Sequence, residues 1–245
     1  APVNLGIEFT GGTELQVSTS ASPAEITDAF ESRTAFEVEG ISQAGSGNSY
    51  LVTFQATEAG DVETLTSAAE AAGYGVESVS SRSPSFSADA QRTALLGIAA
   101  AFLGMSVLVF VLFRTFVPSV AVVASAFSDI VIPLALMNLF GIKLSLGTVA
   151  ALLMLIGYSV DSDLLLNNHI LRRSGGFYES TYRAMRTGVT MTVTSISAMS
   201  VMTLVSSRFV FGIPLLPEVG IVLVFGLTAD LMNTYLLNVS LLRYY

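Results

Sequence analysis

The sequence predicts an α-helical membrane bundle preceded by a small α+β domain. Three observations predict it. Of 245 residues, 52% are hydrophobic and only 12% are charged, whereas soluble domains carry about 25% charged residues. The charge is also split: residues 1–92 hold 13 Asp/Glu and 3 Lys/Arg, net −10, while residues 93–245 hold 6 and 8, net +2. Finally, the second part contains five apolar stretches, each about as long as the ~20 residues that cross the hydrocarbon of a bilayer. A purely cytosolic enzyme, a disordered chain and a coiled coil are excluded. The chain has no Cys, which removes disulfide scaffolds, thiolate metal sites and thiol catalysis. One histidine, His169, cannot build a multi-histidine metal site, and no metal or organic cofactor is expected. So acidic a first third repels phosphates, so nucleic acid is not an expected partner. The same acidic surface, with Lys143 the sole lysine, also suits high salt.

The external elements follow in order, with residues 1–88 taken as one domain. Segment 5–18, LGIEFTGGTELQVS, alternates around Gly11-Gly12 and reads as two short strands or one bent strand. Ser22-Pro23 opens a helix with Ser22 as N-cap, Pro23 at the first position and Glu25 completing a capping box. Residues 35–41 and 49–56 read as a hairpin around GSGNS. Asp61 to Ala72 is a second helix ended by Gly73, and 75–80 is a last strand. Strand, helix, strand, strand, helix, strand is the order of a ferredoxin-like α+β sandwich. Phe9, Phe30, Phe36 and Phe54 are its core candidates. Segment 80–91 is polar and reads as a linker.

The membrane part, 89–245, has spans at about 93–113, 116–142, 144–171, 187–206 and 219–242. Arg114 and Pro118 mark the first turn, and Arg172 to Arg186 form a charged stretch between spans. FVFGIPLLP, before the last span, is too short to cross and reads as interfacial. With the N-terminal domain outside, Arg114, Arg172, Arg173, Arg183, Arg186 and Arg243 fall inside, against Arg92, Lys143 and Arg208 outside. The positive-inside rule therefore predicts an extracytoplasmic domain and a cytoplasmic C-terminus in a multi-pass cell-membrane protein. Such a domain needs a route across the bilayer, so a transmembrane helix is expected before residue 1.

Charged groups inside spans carry the chemistry. Each costs at least ~2.5 kcal/mol at mid-membrane, so they face a bundle interior or water. Asp129, Asp161, Asp163 and Asp230 qualify, either as functional groups or as helix-end and structural hydrogen-bonding residues. Asp161, Leu165 and Asn168 share one helix face, with Gly157 one turn earlier. Asp163 points about 200° away from Asp161, so the two cannot share a proton as a dyad. Burial disfavours an ionised carboxylic acid in general, and a nearby arginine can switch such a group between paired and neutral states. Arg186, at the start of the fourth span, is the best local candidate, or else a positive-inside anchor. Thr187, Thr190, Thr192 and Thr194 follow it, either bonded to their own helix or lining a polar face. His169 reads as an interfacial surface residue, and Asp230 has no evident partner. Nucleotide-binding loops and nucleophile elbows are absent from the sequence, and Gly11-Gly12 suits a turn better than a phosphate loop.

These residues resemble a known family. GIEFTGGTELQV, with Gly6, Phe9, Gly11 and Gly12, is similar to the segment after the first transmembrane helix of SecD/SecF protein-export subunits. GYSVDSDLLLNNHI, opening on Gly157, resembles their fourth helix, with Asp161 at the functional carboxylate of the SecD version. Ser128-Asp129 resembles the His-Asp pair of the third helix in the SecF branch. RAMRTGVTMTVTS resembles the start of the fifth, with Arg186 and Thr187 in matching places. The likeness covers nearly the whole chain, and the single external domain resembles the SecF branch. Two departures stand out: Ser162 occupies the position of the bacterial SecF aspartate, and Asn168-His169 replaces a later Asp-Arg pair. The chain looks like an archaeal-type variant of the family, which belongs to the wider RND superfamily.

The resemblance implies six helices, the first ahead of residue 1. It implies a heterodimer with SecD beside the SecY channel, acting on translocating preproteins and driven by H+ or Na+. It implies ion coupling through Asp161, Asp163, Arg186, Thr187, Asp129 and Asn168, with either Asp161 or Asp163 titrating. The alternatives are a small RND-type exporter of lipids or drugs and a non-transporting membrane scaffold.

Overall fold

The computed structural model describes residues 5–44, 48–171, 176–207 and 216–242. They fall into two compact units, one built on residues 5–94 and one on 95–203 with 218–242.

In the first unit a four-stranded sheet holds β1 (Gly12–Ser18), β2 (Val38–Gln43), β3 (Ser49–Phe54) and β4 (Gly75–Arg82), with α2 (Pro23–Glu31) and α3 (Ala59–Ala71) as its crossovers. The strand order is β2-β3-β1-β4, and every neighbouring pair is antiparallel. This is the ferredoxin-like arrangement expected from the element order. The pairings Leu15↔Val52 and Thr13↔Phe54 put alternate residues on one face. There Leu15, Val17, Val52 and Phe54 meet Ile26 and Phe30 of α2 and Leu65 of α3 in one buried core. Phe30 and Phe54 pack edge to face at 4.9 Å. Of the four phenylalanines expected in the core, Phe9, Phe30 and Phe54 are buried and Phe36 packs partly buried at the rim. The capping box at Ser22 and Glu25 is formed, with Pro23 in the first turn.

Segment 5–10 is not a strand. Ile7–Thr10 makes one helical turn, α1, and Gly6 caps it by accepting from the Phe9 N–H at 2.9 Å. Ile7 and Phe9 are both buried, so their spacing imitates strand alternation. The chain reverses at Gly11 (φ +77°) and Gly12 (φ +130°), conformations suited to glycine. A Cβ on Gly12 would lie 2.6 Å from the Phe54 carbonyl oxygen.

Segment 80–91 is not a linker either. β4 runs to Arg82, and α4 (Pro84–Phe113) begins at once. The Ser83 hydroxyl accepts from the Phe86 N–H at 3.3 Å, Pro84 suits the first turn, and Arg82 stacks over the Phe86 ring at 5.5 Å. Ser87 then donates to the Ile7 carbonyl at 3.2 Å. A string of polar residues thus makes a helix start.

The second unit contains the later part of α4 with α5 (Phe116–Phe140), α6 (Leu146–Leu171), α7 (Phe177–Ser206) and α8 (Leu216–Met232). The last span continues through a π-helical turn, Asn233–Asn238, into α9 (Val239–Leu242). Among the described residues, five helical segments are long and apolar enough to cross a membrane. Arg114, at φ +54°, turns the chain between α4 and α5. Pro118 lies within the first turn of α5.

α7 starts ten residues before the expected span. Part of the charged stretch is its first turns, where Glu179 and Arg183 pair at 2.8 Å one turn apart. Arg172, Arg173, Arg208, Arg243 and most of FVFGIPLLP lie outside the described residues.

Three apolar clusters lie in the described helices of this unit, the smallest being Leu166 and Ile170 of α6 with Ala184 of α7. Met105 and Val109 of α4 meet Val122 and Ala126 of α5 and Ile156 and Val160 of α6. Met137 of α5, Leu152 and Leu155 of α6, and Val222, Leu223 and Leu227 of α8 form the second. α6 packs against α8 at Gly226, where an added Cβ would fall 2.0 Å from Leu155 Cδ1. α4 and α7 are largely exposed.

Candidate functional site

The polar groups of the bundle separate into an inner and an outer set. Asp129 of α5, Asp163 of α6 and Asp230 of α8 are all buried, at 1%, 0% and 1% exposure. Asp129 stands at the middle of α5, Asp163 in the last third of α6 and Asp230 just before the π turn. Asp129 is fully engaged. Ser159 of α6 donates to its Oδ2 at 2.6 Å, and Asn233 Nδ2 donates to its Oδ1 at 2.6 Å. Asp163 is half engaged: Thr234 and Asn238 donate to Oδ1 at 3.0 and 2.8 Å, while Oδ2 has no partner. Among the described residues neither oxygen of Asp230 has a partner at hydrogen-bond distance, although Ser159 and Ser162 face it. The three carboxyls act on one another electrostatically.

Thr234 and Asn238, four apart, share a face on any helix; the π turn brings Asn233 closer to that face. On an α-helix, positions five apart point about 140° from each other. A turn bonded from i to i+5 closes later and returns them to nearly one face. The Val239 N–H bonds to the Thr234 carbonyl in that pattern. Gly188 of α7 lets the turn approach, since a Cβ there would meet the Tyr235 hydroxyl at 2.2 Å. Tyr158 of α6 donates to Thr192 of α7 at 3.3 Å.

The outer set is different. Gly157, Asp161 and Asn168 are exposed on one face of α6, with Leu165 half-buried between them. This is the face the spacing predicts, and Asp163 lies on the buried side. Arg186 and Thr187 of α7 are also exposed. No hydrogen bond or ion pair joins Arg186 to Asp161 or Asp163 among the described residues. Thr190, Thr192 and Thr194 donate to the carbonyls of Arg186, Gly188 and Thr190 on their own helix. His169 is half-buried, with Nδ1 2.8 Å from the Leu165 carbonyl oxygen. The structure thus gathers Asp129 and Asp163 in one place and leaves Asp161, Asn168, Arg186 and Thr187 outside it. Gly6, Phe9, Gly11 and Gly12 shape the turn in the first unit, away from any polar cluster of their own.

Sequence reading missed Asp230 as a member, and missed Asn233, Thr234 and Asn238 altogether. A signal was present: four polar residues within nine positions of an otherwise apolar span. At 3.6 residues per turn these four positions, spaced i, i+3, i+4 and i+8, already fall on one helix face, so the stripe was readable and its carboxyl partners on the other helices were not.

The family model for the C-terminal part of the protein export membrane proteins SecD/SecF matches residues 62–245, and the model of the SecD/SecF GG motif matches residues 1–23. The chain belongs to the SecD/SecF protein-export family. Its curated relatives in that family are SecF proteins. The protein-export membrane protein SecF of Haloferax volcanii is 64% identical over 245 residues, covering 100% of this chain and 83% of that protein. The SecF of Pyrococcus furiosus is 39% identical over 246 residues, covering 99% and 81%. Among solved structures, a SecDF from Thermus thermophilus, described as a translocon-associated membrane protein, superposes with TM-score 0.76 at 21% identity. It covers 98% of this chain and 34% of the SecDF chain, so this SecD/SecF member spans about a third of that larger protein. A heavy metal efflux pump shares the fold at TM-score 0.55 and 16% identity over 82% of this chain. Family and apolar helices together make the chain a multi-pass membrane protein of the export apparatus.

Proposed function

We propose that the chain is an auxiliary subunit of the Sec machinery that pairs with a SecD-type subunit and uses a transmembrane proton or sodium gradient to promote preprotein translocation beside the SecY channel. The single observation that carries the pairing is the exposed face of α6. Asp161 and Asn168 are polar groups on a membrane helix, exposed among the described residues. An aspartate at mid-helix costs ~2.5–3.5 kcal/mol against lipid, so a polar partner surface belongs there. The exposed Arg186 and Thr187 of α7 extend that surface. The solved SecDF chain, three times as long, supports the same pairing. The acidic domain lies outside the cytoplasm and the C-terminus inside, as the arginine distribution favours. Gradient-driven changes at the carboxylates shift helix packing and move the external domain against the emerging polypeptide.

The test is export of a secreted reporter in cells carrying the full-length gene as wild type or Asp161→Asn at matched membrane levels. Accumulation of reporter precursor only with the Asn variant supports ion coupling at this face. Equal export removes Asp161 from the mechanism, as a scaffold would predict.

A further inference from the structure

We propose that the segment Ile7–Gly12 clamps the first turns of α4, residues 84–94, into the external domain, and that α4 bends at Gly97, so that the domain swings with the head of this helix. This takes from the reading above only that the external domain moves, and names the piece that stays rigid and the point that yields.

The clamp is built on the Ile7 carbonyl. It accepts from two donors, the Gly11 N–H at 2.9 Å and the Ser87 hydroxyl at 3.2 Å. Ser87 is 1% exposed and is the one buried residue in the first turns of α4. Its bond joins positions 80 residues apart, so it ties the first segment of the domain to the last. Gly11 lies flat against the corner where β4 becomes α4. A Cβ there would stand 3.4 Å from the Arg82 carbonyl oxygen and from Pro84 Cα. Gly12 pairs with Arg82, the last residue of β4. Only Ser83 separates β4 from α4, and its hydroxyl holds the Phe86 N–H while Arg82 stacks on the Phe86 ring. Ile7 and Phe9 are themselves buried, so the clamp is anchored in the domain. A helix is stiff where a polar linker is slack, and a tilt of α4 reaches the sheet only if this corner holds.

The bend follows from where α4 is gripped. The external unit takes in the helix as far as Ala94, and the bundle takes it from Leu95. Within the bundle Ala101 and Phe102 are the first α4 residues to pack on the apolar cluster, followed by Met105 and Val109. Residues 95–100 lie between the two grips, and none of them is buried. Gly97 stands in this stretch with nothing within 4 Å of an added Cβ. No close approach demands a glycine there, unlike Gly226, and a glycine inside a helix weakens it locally. Gly104 is equally open, but it lies inside the second grip, between Phe102 and Met105.

The chain has no cysteine, so paired spin labels can be placed in the purified full chain in lipid and their separations read by pulsed electron paramagnetic resonance. Labels at Glu63→Cys and Asp89→Cys, both exposed, span the clamp. Labels at Glu63→Cys and Leu112→Cys, the latter 58% exposed, span the bend. The first pair should give one narrow distance distribution and the second a broad one. Ser87→Ala combined with Phe86→Ala should broaden the first. Gly97→Ala should narrow the second and leave the first unchanged. Hydrogen exchange over residues 84–94 should quicken roughly 2- to 10-fold in Ser87→Ala, the loss of one buried hydrogen bond, with β3 unchanged. A broad first distribution in the wild type would put the slack at the corner and overturn the clamp. A second distribution as narrow as the first, or one that Gly97→Ala leaves equally broad, would overturn the bend. The two wild-type distributions decide the matter even if a variant fails to fold. None of these readouts depends on export or on an ion gradient, so the lever and the coupling reading fail separately.

Discussion

Gly12→Ala tests the tightest point of the external domain. Gly12 has φ +130°, a region where a residue with a Cβ costs ~1–3 kcal/mol. The added Cβ would also sit 2.6 Å from the Phe54 carbonyl oxygen. That oxygen belongs to the backbone of β3 and cannot rotate away, so β1 and β3 must part where Thr13 faces Phe54. Weakening one ladder hydrogen bond adds ~0.5–1.5 kcal/mol. The sum is about 2–4 kcal/mol, a large share of the ~5–15 kcal/mol that holds an ordinary domain folded. At one decade per ~1.4 kcal/mol, amides of β1 and β3 that exchange through unfolding of this domain should exchange roughly 30- to 1,000-fold faster. Hydrogen exchange read by mass spectrometry on the full chain resolves those peptides. Gly60→Ala is the control, because it lies in a helix with nothing within 4 Å of its Cβ and should slow exchange slightly. Equal exchange in the two variants would refute the steric argument.

The remaining predictions concern other levels. Gly226→Ala should destabilise the bundle by ~1–3 kcal/mol through overpacking against Leu155, and adding Leu155→Ala should recover part of the loss in a detergent melt. The chain contains no cysteine, so single cysteines at Gly157 or Asn168 should cross-link to a SecD-type partner, while Leu152→Cys, buried against α8, should not. The Ser22 backbone N–H and hydroxyl hold the Glu25 carboxyl below the ordinary carboxylate range. Protection of the α2 first turn should therefore be complete above the ordinary glutamate range and fade as pH falls through the lowered value; Ser22→Ala, which keeps the backbone N–H, should weaken that dependence, and Glu25→Gln should abolish it. With net −10 over residues 1–92, protection in the external domain should rise between 0.1 M and 1 M salt, as the screening length falls from about 10 to 3 Å. No rise would mean that self-repulsion is not limiting.

Much of this was legible from residue order. Ser22, Pro23 and Glu25 specify a helix start through bonds made within four residues, so no distant contact was needed to read them. The five spans follow from length and hydropathy in the same way. Segment 5–10 misled because Ile7 and Phe9 bury two apolar side chains at strand spacing, and the turn is decided by glycine dihedrals that periodicity does not report. Segment 80–91 misled because serines serve equally in linkers and at helix starts. The face bearing Gly157, Asp161 and Asn168 was readable, being one helix counted at 3.6 residues per turn. The inner cluster was not, because it joins residues of three helices, and spacing along one helix does not report which faces meet.

The π turn also affects how this chain is compared with its kin. A turn closed from i to i+5 contains one residue more than an α turn, so it acts as a single-residue insertion hidden inside an unbroken span. In a relative whose last helix is α-helical throughout, positions up to Asp230 keep their counterparts, but everything from Val239 onward is offset by one. A gapless pairing of the two sequences would then match each lipid-facing side chain beyond the turn with a neighbour rotated by about 100°.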